Sequence, residues 1–207
     1  TPRSNWLREL VDTQRRHRAD AVTGPVEPVF EEPPPSWVER GHFFARRTLA
    51  TGSQVDRVYT HNLLLTRETV ERHRPLFDTR LAMRGGSDAH LAQRLHLSKC
   101  RMIWCQDAVC DEYVPRSRTT LGWLLSRGYR NGANRSFIDL DLRARSRLSL
   151  LGWGTGTLLK GTLMLPLRSS RGRHGAIQSF RQIAYGTGLL AGSVGLGYDE
   201  YKHIHGD

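Results

Sequence analysis

The sequence is poor in cysteine and lysine and has no long unbroken apolar run. Its three cysteines, Cys100, Cys105 and Cys110, are an odd number at even spacing. They cannot all pair within one chain, and they lack the paired short spacings and fourth ligand of a zinc site. The pattern speaks for reduced thiols in a cytosolic environment rather than for a disulfide framework or a structural metal. Lysine occurs only at Lys99, Lys160 and Lys202 among 31 basic residues, which fits either phosphate chemistry or a coding bias toward arginine. The opening TPRSNWLREL has no apolar stretch of the signal-peptide kind and no initiator methionine. The expectation is therefore that the chain begins within a longer protein. The longest apolar stretch, 148–167, is broken by Gly152, Gly154, Gly156, Lys160 and Gly161, which argues against a membrane-crossing helix.

Acidic residues are missing from one region in particular. Between Tyr113 and Arg181 only Asp139 and Asp141 stand against 13 Lys and Arg, while the remainder of the chain is balanced. One segment thus carries the whole formal charge of +11, and such a segment seeks phosphates of nucleic acid, of lipid head groups or of a ligand. What is present supports a folded protein. The 207 residues are 38% hydrophobic, with 20 Gly and 9 Pro marking many turns, enough for one sizeable domain or one domain with an appended helical region.

Along the chain, residues 5–18 place Trp6, Leu7, Leu10 and Val11 on one helical face, predicting an amphipathic surface helix. ADAVTGPVEPVF reads as a strand leaving the core for the proline run Pro33-Pro34-Pro35. Residues 36–57 read as irregular, anchored by Trp37, Phe43 and Phe44. Residues 58–66 predict a strand with Asn62 near its middle, and that amide must find a backbone or a ligand partner. A short helix over 67–74 ends at Pro75, and 101–114 reads as a second β-like run closed by Pro115, with Asp111 and Glu112 near its end.

Between them stands GGSDAHLAQRL, residues 85–95. Gly85 and Gly86 permit backbone angles and a close ligand approach that side chains would obstruct. Asp88 falls where a helix should begin and heads the face of Leu91, Ala92 and Leu95. Taken alone, Ser87 or Asp88 is either a helix cap or a site for acid–base chemistry. Residues 117–137 open on Ser/Thr cap candidates and carry Trp123, Arg127 and Arg130 at helical spacing. Two guanidiniums one turn apart beside a tryptophan suit a diphosphate, or form a solvated basic face. The apolar stretch 148–167 lies between Arg143, Arg145 and Arg147 on one side and Arg168, Arg171 and Arg173 on the other, and reads as a segment lying in or against an anionic membrane surface. Residues 176–197 repeat this character weakly through Ile177, Phe180, Ile183 and Ala184, and the tail with His203 and His205 reads as a loose end.

The order of ADAVTGPVEPVF, YTHNLLLTR, FDTRLAMRGGSDAHLAQRL, RMIWCQDAVCDEYVP and RTTLGWLLSRGYRNG resembles the family 2 glycosyltransferases of the bacterial exopolysaccharide type, over about residues 5–135, with GLGYDEY similar to a family C-terminal ending. The resemblance implies an α/β fold class, the C-terminal two-thirds of a GT-A (Rossmann-like) glycosyltransferase domain over 1–137, with an appended basic, helical, membrane-associating tail over 138–207. It implies inverting transfer of a sugar from a nucleotide-sugar donor to a saccharide or lipid-linked saccharide acceptor, by a peripheral enzyme on the inner face of the plasma membrane. Asp88 matches the family's general base, with Ser87 where a glutamate usually stands. Asn62 matches a family asparagine lining the cleft, with His61 at a glycine position. Gly85, Gly86 and Ser87 would border the substrates. Arg118, Trp123, Arg127 and Arg130 fall near the family region that supports the departing diphosphate, although Arg118 precedes Trp123 by five residues rather than adjoining it. The family's nucleotide-binding half should precede Asn5-Trp6-Leu7, and with it the Asp-x-Asp ligands of a divalent cation, Mg2+ or Mn2+. The expectation is thus that this chain alone does not bind a sugar nucleotide usefully. A basic nucleic-acid- or membrane-binding module without catalysis is the alternative, with no recognisable nucleic-acid-reading motif in its favour.

Overall fold

The computed structural model describes residues 1–45, 48–81 and 85–196. Residues 82–84 of RLAMRGG, most of GLGYDEY, and His203 and His205 lie outside the described residues. The chain is mixed α/β and divides into two compact units.

The first unit comprises Thr1–Val29, Phe44–Thr79 and Ser87–Tyr113. Its centre is the short strand β1 (Ala21–Thr23), with all three residues buried. Strand β1 pairs antiparallel with β3 (Leu63–Leu65) and parallel with β4 (Met102–Trp104), giving the order β3-β1-β4. The two-residue period of a strand sends neighbours to opposite faces. Ala21 and Met102 pack with Leu91, Ala92 and Leu95 of helix α4 (Ser87–Leu97). Val22 and Ile103 pack with Leu10 of helix α1 (Trp6–His17), together with Cys105 and Ala108. This sheet is therefore covered by a helix on each side, which is why β1 reads as apolar throughout instead of alternating. The short helix α3 (Arg67–Arg72) is capped by Thr66, whose Oγ1 accepts from the Thr69 backbone at 3.2 Å.

Several expectations need correction. Leu7 is 58% exposed, and the inward face of α1 is completed by Thr13. The run 101–114 is not one strand: it breaks at a turn into β4 and β5 (Cys110–Val114), and β5 forms a separate two-stranded sheet with β2 (Val26–Phe30). Thr23 Oγ1 and the backbones of Pro25 and Ala108 converge on Asn62 at this break, so Asn62 precedes β3 rather than lying within it.

The second unit comprises Phe30–Phe43, Arg80–Gly86 and the chain from Val114 onward. Residues 36–57 are not wholly irregular, since Ser36–Arg40 form helix α2, and Trp37 meets Phe43 edge-on at 5.8 Å. Helix α5 (Leu121–Asp141) runs unbroken through 137–138, where the tail was expected to begin. Helix α6 (Arg147–Leu163) is followed by the short α7 (Leu165–Ser169) and by α8 (Arg173–Ser193). Glycines let α8 approach both neighbours closely. A Cβ on Gly132 would meet the Tyr185 and Leu189 backbone, and one on Gly154 or Gly161 would meet Leu190 or Ile183. Ser136 Oγ donates to the Leu189 carbonyl at 2.7 Å. Phe180, expected on the inner face of α8, is 42% exposed, because the glycine-lined contacts turn that position outward.

Candidate functional site

In the first unit, α4 begins at Ser87, which places Asp88 as the second residue of its first turn rather than as a cap. The backbone N–H groups of a first turn have no intrahelical acceptor, and the dipole there favours negative charge. Asp88 Oδ1 accepts from the Ala89 N–H at 2.8 Å, and the side chain is only half-buried. The carboxylate is thus held by its own helix and open to a proton donor. Behind it, Leu91, Ala92 and Leu95 fix the helix on the sheet. Arg94 ties it down further, donating to the carbonyls of Pro75 at 2.7 Å and His73 at 2.8 Å. Arg94 is a positioning residue that pattern reading missed, because an arginine bonded only to carbonyls leaves no charge pair to look for.

Asn62 has a definite role in this unit. Its Oδ1 accepts from Trp6 Nε1 at 2.9 Å, while its Nδ2 donates to the carbonyls of Pro25 at 2.9 Å and Ala108 at 2.8 Å. Both amide donors and the acceptor are engaged by the chain, and the residue is 1% exposed. Of the two partners its position demanded, the structure supplies the backbone one. Asn62 therefore joins α1 to the two loops that leave β1 and β4.

In the second unit, Gly85 and Gly86 take φ of 72° and 89°. Backbone of this kind favours glycine at both positions. A Cβ on Gly86 would lie 2.9 Å from Nδ2 of Asn134 on α5, and the same Nδ2 donates to the Gly85 carbonyl at 3.2 Å. The close approach expected at this turn is therefore made by Asn134. Its amide lies among the small residues of GANRS, a setting that hides its role in the sequence.

Also in this unit, Thr120 caps α5 by accepting from the Trp123 N–H at 3.3 Å, which fixes the tryptophan in the first turn. The guanidinium of Arg127 lies 5.0 Å from the Trp123 ring centroid and that of Arg118 lies 5.9 Å from it. The short 3-10 turn Arg116–Thr119 closes the five-residue gap that the sequence showed between Arg118 and Trp123. Arg130 is half-buried one turn beyond Arg127. Planar guanidiniums stacked on an aromatic face are groups whose N–H donors suit oxygen acceptors such as a diphosphate.

The spacing Asp-x-Asp does occur once, at Asp139-Leu140-Asp141. Asp139 is fully buried and held by Arg135 Nε at 2.8 Å and Arg145 Nε at 3.4 Å, while Asp141 pairs with Arg80 at 2.9 Å. These arginine pairs account for Asp139, which does not fit a ligand of a diphosphate-bound metal. They serve instead to fasten the end of α5, where Arg145 also covers Trp153 at 4.7 Å.

Among curated proteins, the chain is 26% identical over 201 residues to succinoglycan biosynthesis protein ExoM of Rhizobium meliloti strain 1021. The alignment takes in 95% of this chain and 63% of the relative, so the chain spans under two thirds of that protein's length. No protein-family profile matches the chain, and no solved structure matches it.

Proposed function

We infer that the complete protein is an inverting family 2 glycosyltransferase of GT-A fold. In this reading it moves a sugar from a nucleotide-sugar donor to a saccharide or lipid-linked saccharide acceptor in bacterial exopolysaccharide biosynthesis. The observation that carries the reading is Asp88, half-open in the first turn of α4 and reached through a turn that two left-handed glycines permit. The relative named for succinoglycan biosynthesis supports the exopolysaccharide setting.

Asp88 takes the proton of the acceptor hydroxyl as its oxygen attacks the anomeric carbon. The new carbon–oxygen bond forms on one face while the bond to the nucleoside diphosphate breaks on the other, and the electron pair leaves with the diphosphate. Guanidiniums have the chemistry to receive the charge that develops on the departing phosphate oxygens, and in the second unit Arg118 and Arg127 beside Trp123 are the groups of that chemistry. Ser87 brings no second carboxylate, so Asp88 works as a lone acid–base group.

The test is transfer by the complete protein from a panel of nucleotide sugars to saccharide and lipid-linked acceptors, with the product anomer read by NMR. The reading expects one donor to be consumed, with inversion at the anomeric carbon. Retained configuration, or no transfer from any donor, would overturn it.

A further inference from the structure

Helix α6 is apolar on both sides, and only one side is used by the fold. Inward, Leu150 is fully buried, and Gly154 and Gly161 press against α8. Outward, Leu148 is 80% exposed, Leu159 51% and Leu163 71%, and Leu167 of α7 continues the row at 57%. Leu148, Leu159 and Leu163 fall at helical spacing on one face of α6, and Leu167 follows four residues on in α7. Gly152 and Gly156 lie between them with open space at their Cβ positions. Nothing in the packing asks for glycine there, and the pair leaves the outer face flat.

The charge around this face has one sign. No Asp or Glu occurs from residue 142 to residue 198. Arg147 stands exposed at the start of the face, Lys160 along its flank and Arg171 just beyond its end, none with an acidic partner among the described residues. No described helix is long and apolar enough to cross a membrane. A 17-residue helix is about 25 Å long, shorter than a hydrocarbon core. An apolar strip rimmed by cations and too short to span is the pattern of a helix that lies in the interface of an anionic bilayer.

We propose that the outer face of α6 and α7 is a membrane-docking surface, seated on anionic lipid with Leu148, Leu159, Leu163 and Leu167 in the acyl boundary and Arg147, Lys160 and Arg171 on the head-group phosphates. The charge complementarity singles out this occupant: a second copy of the chain would bring like charge against like. The surface extends the sugar-transfer reading by stating where a lipid-linked acceptor would be met. It rests on the packing of α6, so vesicle binding and catalysis fail independently.

The experiment is co-sedimentation of the full chain with vesicles of phosphatidylcholine alone, and of phosphatidylcholine with phosphatidylglycerol, across a salt series. The expected result is binding to the anionic vesicles that weakens with salt. Leu159→Glu with Leu163→Glu should lower the affinity about a hundredfold, since burial of each leucine contributes about tenfold. Circular dichroism on that variant should be unchanged, because both positions are exposed. The triple variant Arg147→Gln, Lys160→Gln, Arg171→Gln leaves the apolar face intact and should weaken binding about fivefold per charge at low salt. Equal sedimentation of the folded Leu→Glu variant and the parent would overturn the proposal. So would binding of duplex DNA in place of vesicles, or a dimer in light scattering that the Leu→Glu pair dissolves.

Discussion

The side-chain amide of Asn134 donates to the carbonyl of Gly85 at 3.2 Å while lying against Gly86. One residue of α5 thereby sets the turn that leads the chain toward Asp88. Gly86→Ala would place a methyl group against this amide at a φ of 89°. The expected loss is about 1–2 kcal/mol, from the left-handed backbone alone. Asn134→Ala removes the hydrogen bond and should cost about 1 kcal/mol. Urea unfolding of the two single variants and the double variant checks this. Because the Asn134→Ala background relieves the clash, the two losses should be less than additive there.

Asn62 is the polar group on which the first unit most depends. Asn62→Ala leaves two carbonyls and the Trp6 N–H without their partner in a buried setting. The expected cost is about 2–4 kcal/mol. Asn62→Asp should be at least as damaging, since it replaces a double donor by an acceptor facing two carbonyl oxygens. A urea midpoint for Asn62→Asp equal to the parent's would contradict this account of the residue.

Desolvation pushes the thiols of Cys100 and Cys110 above the ordinary cysteine value. A thiol whose folded pKa exceeds its unfolded one leaves stability untouched below the unfolded value. It lowers stability as pH climbs from the unfolded value through the folded one. Unfolding midpoints should therefore fall more steeply above about pH 8.5 in the parent than in Cys100→Ala with Cys110→Ala. At neutral pH all three buried, unpaired cysteines should react with a thiol reagent only as the protein unfolds.

Much of the secondary structure is legible in the sequence where the period is long and the caps are strong. The face of Leu91, Ala92 and Leu95, the Thr120 cap before Trp123, and the helices flanked by arginine are examples. The sheet is less legible because its strands are short: three residues in β1, β3 and β4 carry too little pattern to separate β4 from β5 within 101–114. The site divides in the same way. The Arg118–Trp123–Arg127 grouping follows from helical spacing plus one turn. The engagement of Asn62 by Trp6, Pro25 and Ala108 joins residues up to 56 positions apart, and no local pattern encodes it. Asn134 and Arg94 are hidden for the same reason, since each bonds to backbone carbonyls that any residue could supply.

Asp88 is the group proposed to take the acceptor proton. The most direct measurement is the transfer rate of the complete protein carrying Asp88→Asn, which keeps the size of the side chain and its hydrogen bond to the Ala89 N–H. Transfer should fall by about a hundredfold or more, with donor affinity and urea midpoint unchanged. A folded Asp88→Asn protein that turns over at close to the parent's rate would contradict it.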